Sequence, residues 1–144
     1  MVKSLVRFGY ADRSLGISGK RAIQVFVIDI FQKELSLPCR LQYVFCSDEY
    51  LHKINLEYLQ HDDYTDIITF DLSEDKVVCV DGEIYISVDR VKSNALSLGV
   101  RFFDEVLRVI FHGALHLCGY GDKTPKEQYE MRRMEDKYLG LYMQ

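Results

Sequence analysis

The chain of 144 residues contains no tryptophan and only two prolines, and none of its apolar runs approaches the roughly 20 residues of a membrane-spanning helix. Its four cysteines show neither CxxC spacing nor the density of a disulfide framework, a pattern typical of reduced cytosolic thiols. The first ten residues lack the apolar segment of a signal peptide. These absences predict a cytoplasmic protein that does not associate with membranes.

A basic excess is also missing. Lysine and arginine number 18 against 22 aspartates and glutamates, which gives a net charge of −4. Proteins that bind nucleic acid tightly by themselves usually carry a basic face. Local basic positions exist near the N-terminus, including Lys3, Arg7, Arg13 and the pair at 20–21. The composition therefore fits weak nucleic-acid affinity, or binding within a larger assembly, better than tight autonomous binding.

What the sequence does contain is an ordinary globular composition, with 48% hydrophobic residues, and we expect a single domain over residues 1–144. Periodicity, caps and turn residues predict an α+β fold in which a small mixed sheet of about four strands packs with about five helices. The predicted strands are 4–8, 40–46, 66–72 and 83–88, and the predicted helices are 18–35, 48–59, 89–98, 103–117 and a last one from 125.

The predicted helix 103–117 contains two histidines, His112 and His116, at i and i+4. Side chains with this spacing lie one turn apart on the same helix face. Two imidazoles held in this way can share one metal ion, for which zinc, copper, iron and nickel are candidates. Gly119 is a natural end for the helix, and Asp122 follows it as a possible third ligand. Three protein ligands would leave a coordination position open for water, as in catalytic zinc sites.

The apolar residues of this helix form one stripe, and the histidines lie on the opposite side in line with Glu105. They are therefore predicted either on a solvated surface or in a functional cleft. Asp122 is either a ligand or only a turn-capping residue. Gly113 occupies the position at which HExxH zinc peptidases carry their catalytic glutamate, which argues against peptide hydrolysis.

The segment HGALHLCGYGD, residues 112–122, resembles the signature of the YbeY-type endoribonucleases. The likeness continues at TDIITF, residues 65–70, and at GEIYIS, residues 82–87. It implies a zinc-dependent endoribonuclease, with one ion per chain, that is specific for single-stranded RNA. It also implies a role in maturation of the 16S rRNA 3′ end and in ribosome quality control, with rRNA and the ribosome as partners. Within TDIITF, it places Asp66 on the floor of the cleft near the metal as a candidate catalytic residue, whereas the residues at 65–66 by themselves fit a turn before a strand equally well.

Two departures from the family pattern bear on the site, and the first of them also includes Gly121, which stands where the family has the aspartate before its third histidine. Asp122 stands where the family has its third histidine, and Leu59 stands where it has an arginine. We hypothesise that Arg108, one turn before His112, assists at the phosphate in place of that arginine. The alternative is that Arg108 is an ordinary surface arginine, either solvated or ion-paired, with Glu105 at i−3. The sequence leaves two other functions open. One is a metallohydrolase with a non-RNA substrate, and the other is a ribosome-assembly binding protein whose metal is structural.

Overall fold

The computed structural model describes residues 2–144 and contains, within them, one four-stranded mixed sheet. The strands are β1 (Leu5–Tyr10), β2 (Cys39–Cys46), β3 (Ile67–Asp71) and β4 (Val80–Ser87). Their order in the sheet is β1-β2-β4-β3. The first three in this order run parallel, and β3 pairs antiparallel with β4 at one edge.

Five helices accompany the sheet in the described part of the chain. They are α1 (Lys20–Leu35), α2 (Asp48–Leu59), α3 (Val88–Leu98), α4 (Phe102–Leu117) and α5 (Pro125–Tyr142). The predicted α+β fold, with a small mixed sheet and five helices, is confirmed. None of these helices within residues 2–144 is both long and apolar enough to cross a membrane.

The two faces of the sheet carry different helices because successive side chains of a strand point to opposite sides. On β4, Ile84 and Ile86 belong to the main core, which also contains the buried stripe of α4. Tyr85 points to the other face and packs with Leu51 of α2 and Ile68 of β3 in a second, smaller core. The histidine-bearing helix and α2 therefore lie on opposite faces of the sheet.

Helix α4 approaches the sheet closely at Gly113. A Cβ atom at this position would lie 3.0 Å from both Ile67 Cδ1 and Ile84 Cγ2. The glycine between the two histidines thus faces the sheet, and the structure has no room there for a glutamate side chain. The close approach fixes the height of α4 over β3 and β4, and with it the position of the histidines.

Most predicted helix ends are confirmed. The hydroxyl of Ser47 caps α2 by accepting from the Tyr50 N–H at 3.1 Å, and Thr124 with Glu127 forms a capping box on α5. Other boundaries differ by one to three residues, including that of β1, which extends to Tyr10 rather than ending at residue 8; two of these differences have a clear cause. Helix α1 begins at Lys20, behind Gly19 in the left-handed region at φ 74°, rather than at residue 18.

The second difference is at β4, which starts at Val80 inside the predicted loop and ends one residue before Val88. Pairing with β2 overrides the turn-like Asp81–Gly82 sequence, because Val80 pairs with Cys39 and the Arg40 Nε donates to Asp81 Oδ1 at 2.8 Å. Val88, predicted as the last strand residue, instead opens α3 behind the Ser87 cap.

A pair of glycine substitutions tests the close approach. Gly113→Ala gains helix propensity but forces contacts tighter than normal packing, and overpacking costs about 1–3 kcal/mol. Gly140→Ala, in α5, meets nothing within 4 Å and is expected to gain up to about 1 kcal/mol. Urea unfolding should therefore show Gly113→Ala to be the less stable variant. Equal stabilities would contradict this account of the α4–sheet contact.

Candidate metal centre and the cleft beside it

The two histidines of α4 occupy different surroundings. His112 is half-buried beneath α5, whereas His116, one turn later, is exposed. Their ring centroids are 6.3 Å apart and their planes differ by 13°. The stripe of α4 packs as predicted, with Val106, Ile110 and Ala114 in the main core.

Hydrogen bonds orient both imidazoles in the same sense. The Nδ1–H of His112 donates to Glu135 Oε2 at 2.7 Å, and the Nδ1–H of His116 donates to the Tyr120 carbonyl at 2.9 Å. A carbonyl or an ionised carboxylate only accepts, so the Nδ1 atoms carry the protons. In a neutral imidazole this leaves Nε2 with a free lone pair, the arrangement found in histidine metal ligands.

Asp122 faces Nε2 of His112. Its Oδ2 lies 3.2 Å from His112 Nε2. Two ligands of one tetrahedral zinc ion, each bound at about 2.0–2.2 Å, are separated by roughly 3.3 Å. The N-terminus of α5 is capped by the Thr124 hydroxyl, so the carboxylate of Asp122 is not used as the helix cap. His112 and Asp122 therefore have the chemistry and the spacing of two ligands of one ion.

His116 stands apart from this pair. Within residues 2–144, no three histidine, cysteine, aspartate or glutamate side chains are already gathered as a group that could hold a metal ion. The structure brings together two of the three predicted ligands and orients the third. Completing the site requires movement of side chains at the end of α4 and in the loop that follows it.

Glu135 of α5 accepts hydrogen bonds from both His112 and Arg108. It is only 5% exposed and binds His112 through Oε2, while its Oε1 accepts from Arg108 Nη1 at 2.8 Å. Burial raises the pKa of Glu135, but the hydrogen bonds from His112 and Arg108 outweigh it and the net shift is downward. Burial lowers the pKa of His112, and Glu135 and the nearby carboxylates reverse this to a net increase.

A second carboxylate, that of Glu34, fixes the loop after α4. The Tyr120 hydroxyl donates to Glu34 Oε1 of α1 at 2.8 Å, and the Tyr138 hydroxyl of α5 donates to the other oxygen of the same carboxylate. Tyr120 is thus fixed at both ends, because its carbonyl accepts from His116. The carboxylate of Glu34 connects α1 and α5 to the loop that carries Asp122.

A cleft of about 340 Å³ opens beside His112 and Asp122. Asp66 lines it, and burial raises the pKa of Asp66 although the charge of His112 opposes this. Arg108 also lines the cleft, but its Nη2 donates to Asp136 at 2.8 Å, so both terminal nitrogens contact carboxylates of α5. Arg132 lines the same cleft with a side chain that is 58% exposed.

On the other side of Ile67, a second cleft of about 380 Å³ contains His116. Asn55, Leu59 and His61, from α2 and the segment after it, line this cleft. The position of the family arginine, Leu59, therefore does face the region of the candidate metal centre. Its aliphatic side chain supplies no charge there.

Comparisons with known proteins identify the family of this chain. The family model described as endoribonuclease YbeY matches residues 15–142. The chain belongs to the YbeY endoribonuclease family. A relative named endoribonuclease YbeY from Cytophaga hutchinsonii is 45% identical over 141 residues, which are 98% of each chain. Another of that name, from Amoebophilus asiaticus, is 41% identical over 96% of this chain and 94% of the relative.

The fold is similar to the solution structure of TM1509 from Thermotoga maritima, with a TM-score of 0.68 and 27% identity. The match covers 96% of this chain and 89% of the other. The resemblance inferred from the sequence is thereby confirmed for the YbeY family and its endoribonuclease class. The assignment of His112, His116, Asp122, Asp66 and Arg108 stays a prediction.

Sequence reasoning missed Glu135 in this YbeY-family chain. A signal was available, because Glu135 lies with Met131, Met134 and Tyr138 on the buried face of α5. A carboxylate in such a stripe needs a buried partner. Helical spacing also pointed to the wrong counterion for Arg108, since its direct hydrogen bonds go to α5 and not to Glu105.

Loss of the Glu135 charge should destabilise the protein more than loss of its neighbour. Glu135→Gln leaves His112 and Arg108 with a neutral partner, and we expect it to lower the free energy of unfolding by about 1.5–3 kcal/mol. Asp136→Asn, whose side chain is 60% exposed, should cost no more than about 1 kcal/mol. Urea unfolding of both variants at neutral pH provides the comparison; equal losses would contradict the central position of Glu135.

Proposed function

We propose that this chain is a metal-dependent endoribonuclease in which His112, His116 and Asp122 hold one zinc ion. Its proposed substrate is single-stranded rRNA, in maturation of the 16S rRNA 3′ end and in ribosome quality control. Besides family membership, the proposal is supported chiefly by the two Nδ1–H groups, which leave both Nε2 atoms available, one of them facing Asp122.

When bound by these three ligands, a zinc ion would supply an activated water and polarise a phosphoryl oxygen. The side chains around it complete the chemistry. Glu135 and the Tyr120 carbonyl hold the imidazoles in the ligand tautomer, as outer partners of metal-bound histidines do. Asp122 adds a negative charge that a third histidine would not, so the proposed site favours harder, oxygen-preferring metals more than a three-histidine site does.

Asp66 is suited to proton transfer in this cleft. Its burial raises its pKa, so it retains a proton at higher pH than an ordinary aspartate. A carboxyl group with such a pKa can exchange a proton with the attacking water or with the leaving oxygen. We therefore assign Asp66 as the candidate acid or base of the reaction.

Phosphodiester cleavage also needs positive charge near the developing oxyanion. Arg108 remains a candidate for this role, but its two hydrogen-bonded carboxylates make the positioning of Glu135 its more direct contribution. Arg132 lines the same cleft, and its nearest carboxylate contact, to Glu135, is a longer 3.8 Å. We propose that Arg132 meets the phosphate, with Arg108 holding the carboxylate behind it.

Cleavage by the metal-loaded protein tests the main proposal. Zinc-loaded protein should cut single-stranded RNA that contains the 16S rRNA 3′ region, and a chelator should stop the reaction. His116→Ala and Asp122→Ala should each lower the rate by at least about 100-fold, since even outer partners of metal ligands contribute 10–100-fold. Asp136→Asn, an exposed carboxylate change on α5, is the matched control and should retain activity.

Metal analysis of the same samples separates the alternatives. One zinc per chain with a displaceable water supports an open catalytic site. Four fixed protein ligands and no RNA cleavage would contradict the proposal and indicate a structural metal in a binding protein. Hydrolysis of another phosphodiester substrate without RNA cleavage would indicate a metallohydrolase of different specificity.

The anchor of the loop after α4 makes a separate prediction. Tyr120→Phe removes the hydrogen bond to Glu34 and should weaken zinc binding by about 10-fold, because the carbonyl that orients His116 is held less firmly. Tyr138→Phe removes the other hydrogen bond of Glu34 and leaves the loop untouched. Competition with a chromophoric chelator measures both zinc affinities. Equal zinc affinities in Tyr120→Phe and Tyr138→Phe would show that Glu34 joins α1 to α5 without supporting the loop that orients His116.

A further inference from the structure

The face of the sheet opposite the candidate metal centre carries a cavity of about 530 Å³ between α2 and the β3–β4 hairpin. We call it the aromatic pocket, since four of the side chains that line it are aromatic: Tyr50, Tyr58, Phe70 and Tyr85. None of the steps assigned to the metal-side clefts uses it.

The rings form adjoining walls. Phe70 meets Tyr58 with centroids 6.1 Å apart at 78°, and meets Tyr85 at 5.9 Å and 85°. Tyr58 is 69% exposed and Tyr50 is 39% exposed, so ring surface is open to solvent. Exposed aromatic rings set against a fixed apolar wall are the means by which proteins stack the unpaired bases of single strands.

The charged groups of the aromatic pocket suit a base with an amino group. Glu83 accepts from the Tyr85 hydroxyl at 3.2 Å, which orients its carboxylate, and Glu57 is a second carboxylate in the lining. Carboxylates accept hydrogen bonds from the exocyclic amino groups of cytosine, adenine and guanine. Uracil offers carbonyl oxygens in place of that group. Lys53, also in the lining, is available to a backbone phosphate and disfavours a purely cationic ligand.

The aromatic pocket and the cleft around His116 adjoin along the same two elements. Helix α2 contributes Asn55 and Leu59 to the His116 cleft, and Ile54 and Tyr58 to the aromatic pocket. Strand β3 contributes residues 67–69 to the first and Phe70 to the second. Because β3 is an edge strand, a single strand that leaves the metal cleft can pass over this edge and reach the rings.

We propose that the aromatic pocket binds an amino-bearing nucleobase, cytosine, adenine or guanine, of a nucleotide that flanks the cleaved bond of single-stranded RNA. This inference rests on the proposed endoribonuclease function and extends it to base preference. Tyr58 stacks the base, Glu83 accepts from its amino group, and Lys53 contacts the phosphate.

Binding of mononucleotides tests the aromatic pocket without catalysis. In NMR titrations of the full chain, CMP, AMP and GMP should shift the ring signals of Tyr58 and Tyr85, and UMP should bind several-fold more weakly. Tyr58→Ala should weaken binding by about 10-fold. Tyr129→Ala, a 70% exposed tyrosine on α5, is the matched control and should bind as the wild type does. Glu83→Gln should reduce the preference over UMP.

Cleavage kinetics provide a second test of base binding at the aromatic pocket. Tyr58→Ala should raise KM for a single-stranded oligonucleotide by about 10-fold with kcat unchanged, and Tyr129→Ala should change neither. Mononucleotide binding at the aromatic pocket without any RNA cleavage would refute the proposed function and, with it, the placement of the base beside a cleaved bond, and would uphold only the base-binding site. RNA cleavage with normal KM in Tyr58→Ala and no mononucleotide binding would refute this inference alone. Tighter binding of arginine amide than of any nucleotide would overturn it in favour of a basic protein partner.

Discussion

Much of this structure depends on one buried carboxylate, Glu135. Helix α4 packs against the sheet on one side and α5 on the other, so its polar side chains cannot all reach water. A charge removed from water must be paired and hydrogen-bonded. Glu135 meets this need for His112 and Arg108 together, and in doing so it fixes the orientation of the first candidate metal ligand.

The close approach at Gly113 and the anchor at Glu34 act on the same region from other directions. The glycine sets the distance of α4 from the sheet, and Glu34 holds the Tyr120 loop against α1 and α5. The candidate ligands therefore sit between fixed points even though His116 and Asp122 are partly accessible. This accords with a centre whose outer contacts are formed before an ion binds.

Much of the fold could be predicted from local sequence because its signals are strong. The alternation of β4, the apolar stripe of α4 and the capping sequence at Thr124 each have one favoured structure, and they were confirmed. The predictions from sequence were wrong where elements distant in the chain contact each other. Asp81–Gly82 has the composition of a turn, but pairing with β2 places it in a strand. Glu105, expected in line with the histidines away from the core, is buried in the structure.

For the candidate site as well, some features follow from local sequence and others only from the tertiary structure. The sequence by itself determined which residues could bind a metal, since the i, i+4 spacing of His112 and His116 and the helix end before Asp122 are local properties of the chain. Only the tertiary structure decided which nitrogen of each imidazole is free and which counterion Arg108 meets. It also decided that α2 and β3 carry an aromatic pocket beside the metal-side cleft. The physical reason is that these features are hydrogen bonds and contacts between elements far apart in the chain. Helical periodicity and residue type constrain neighbours within a turn or two and contain no information on which remote side chain lies opposite.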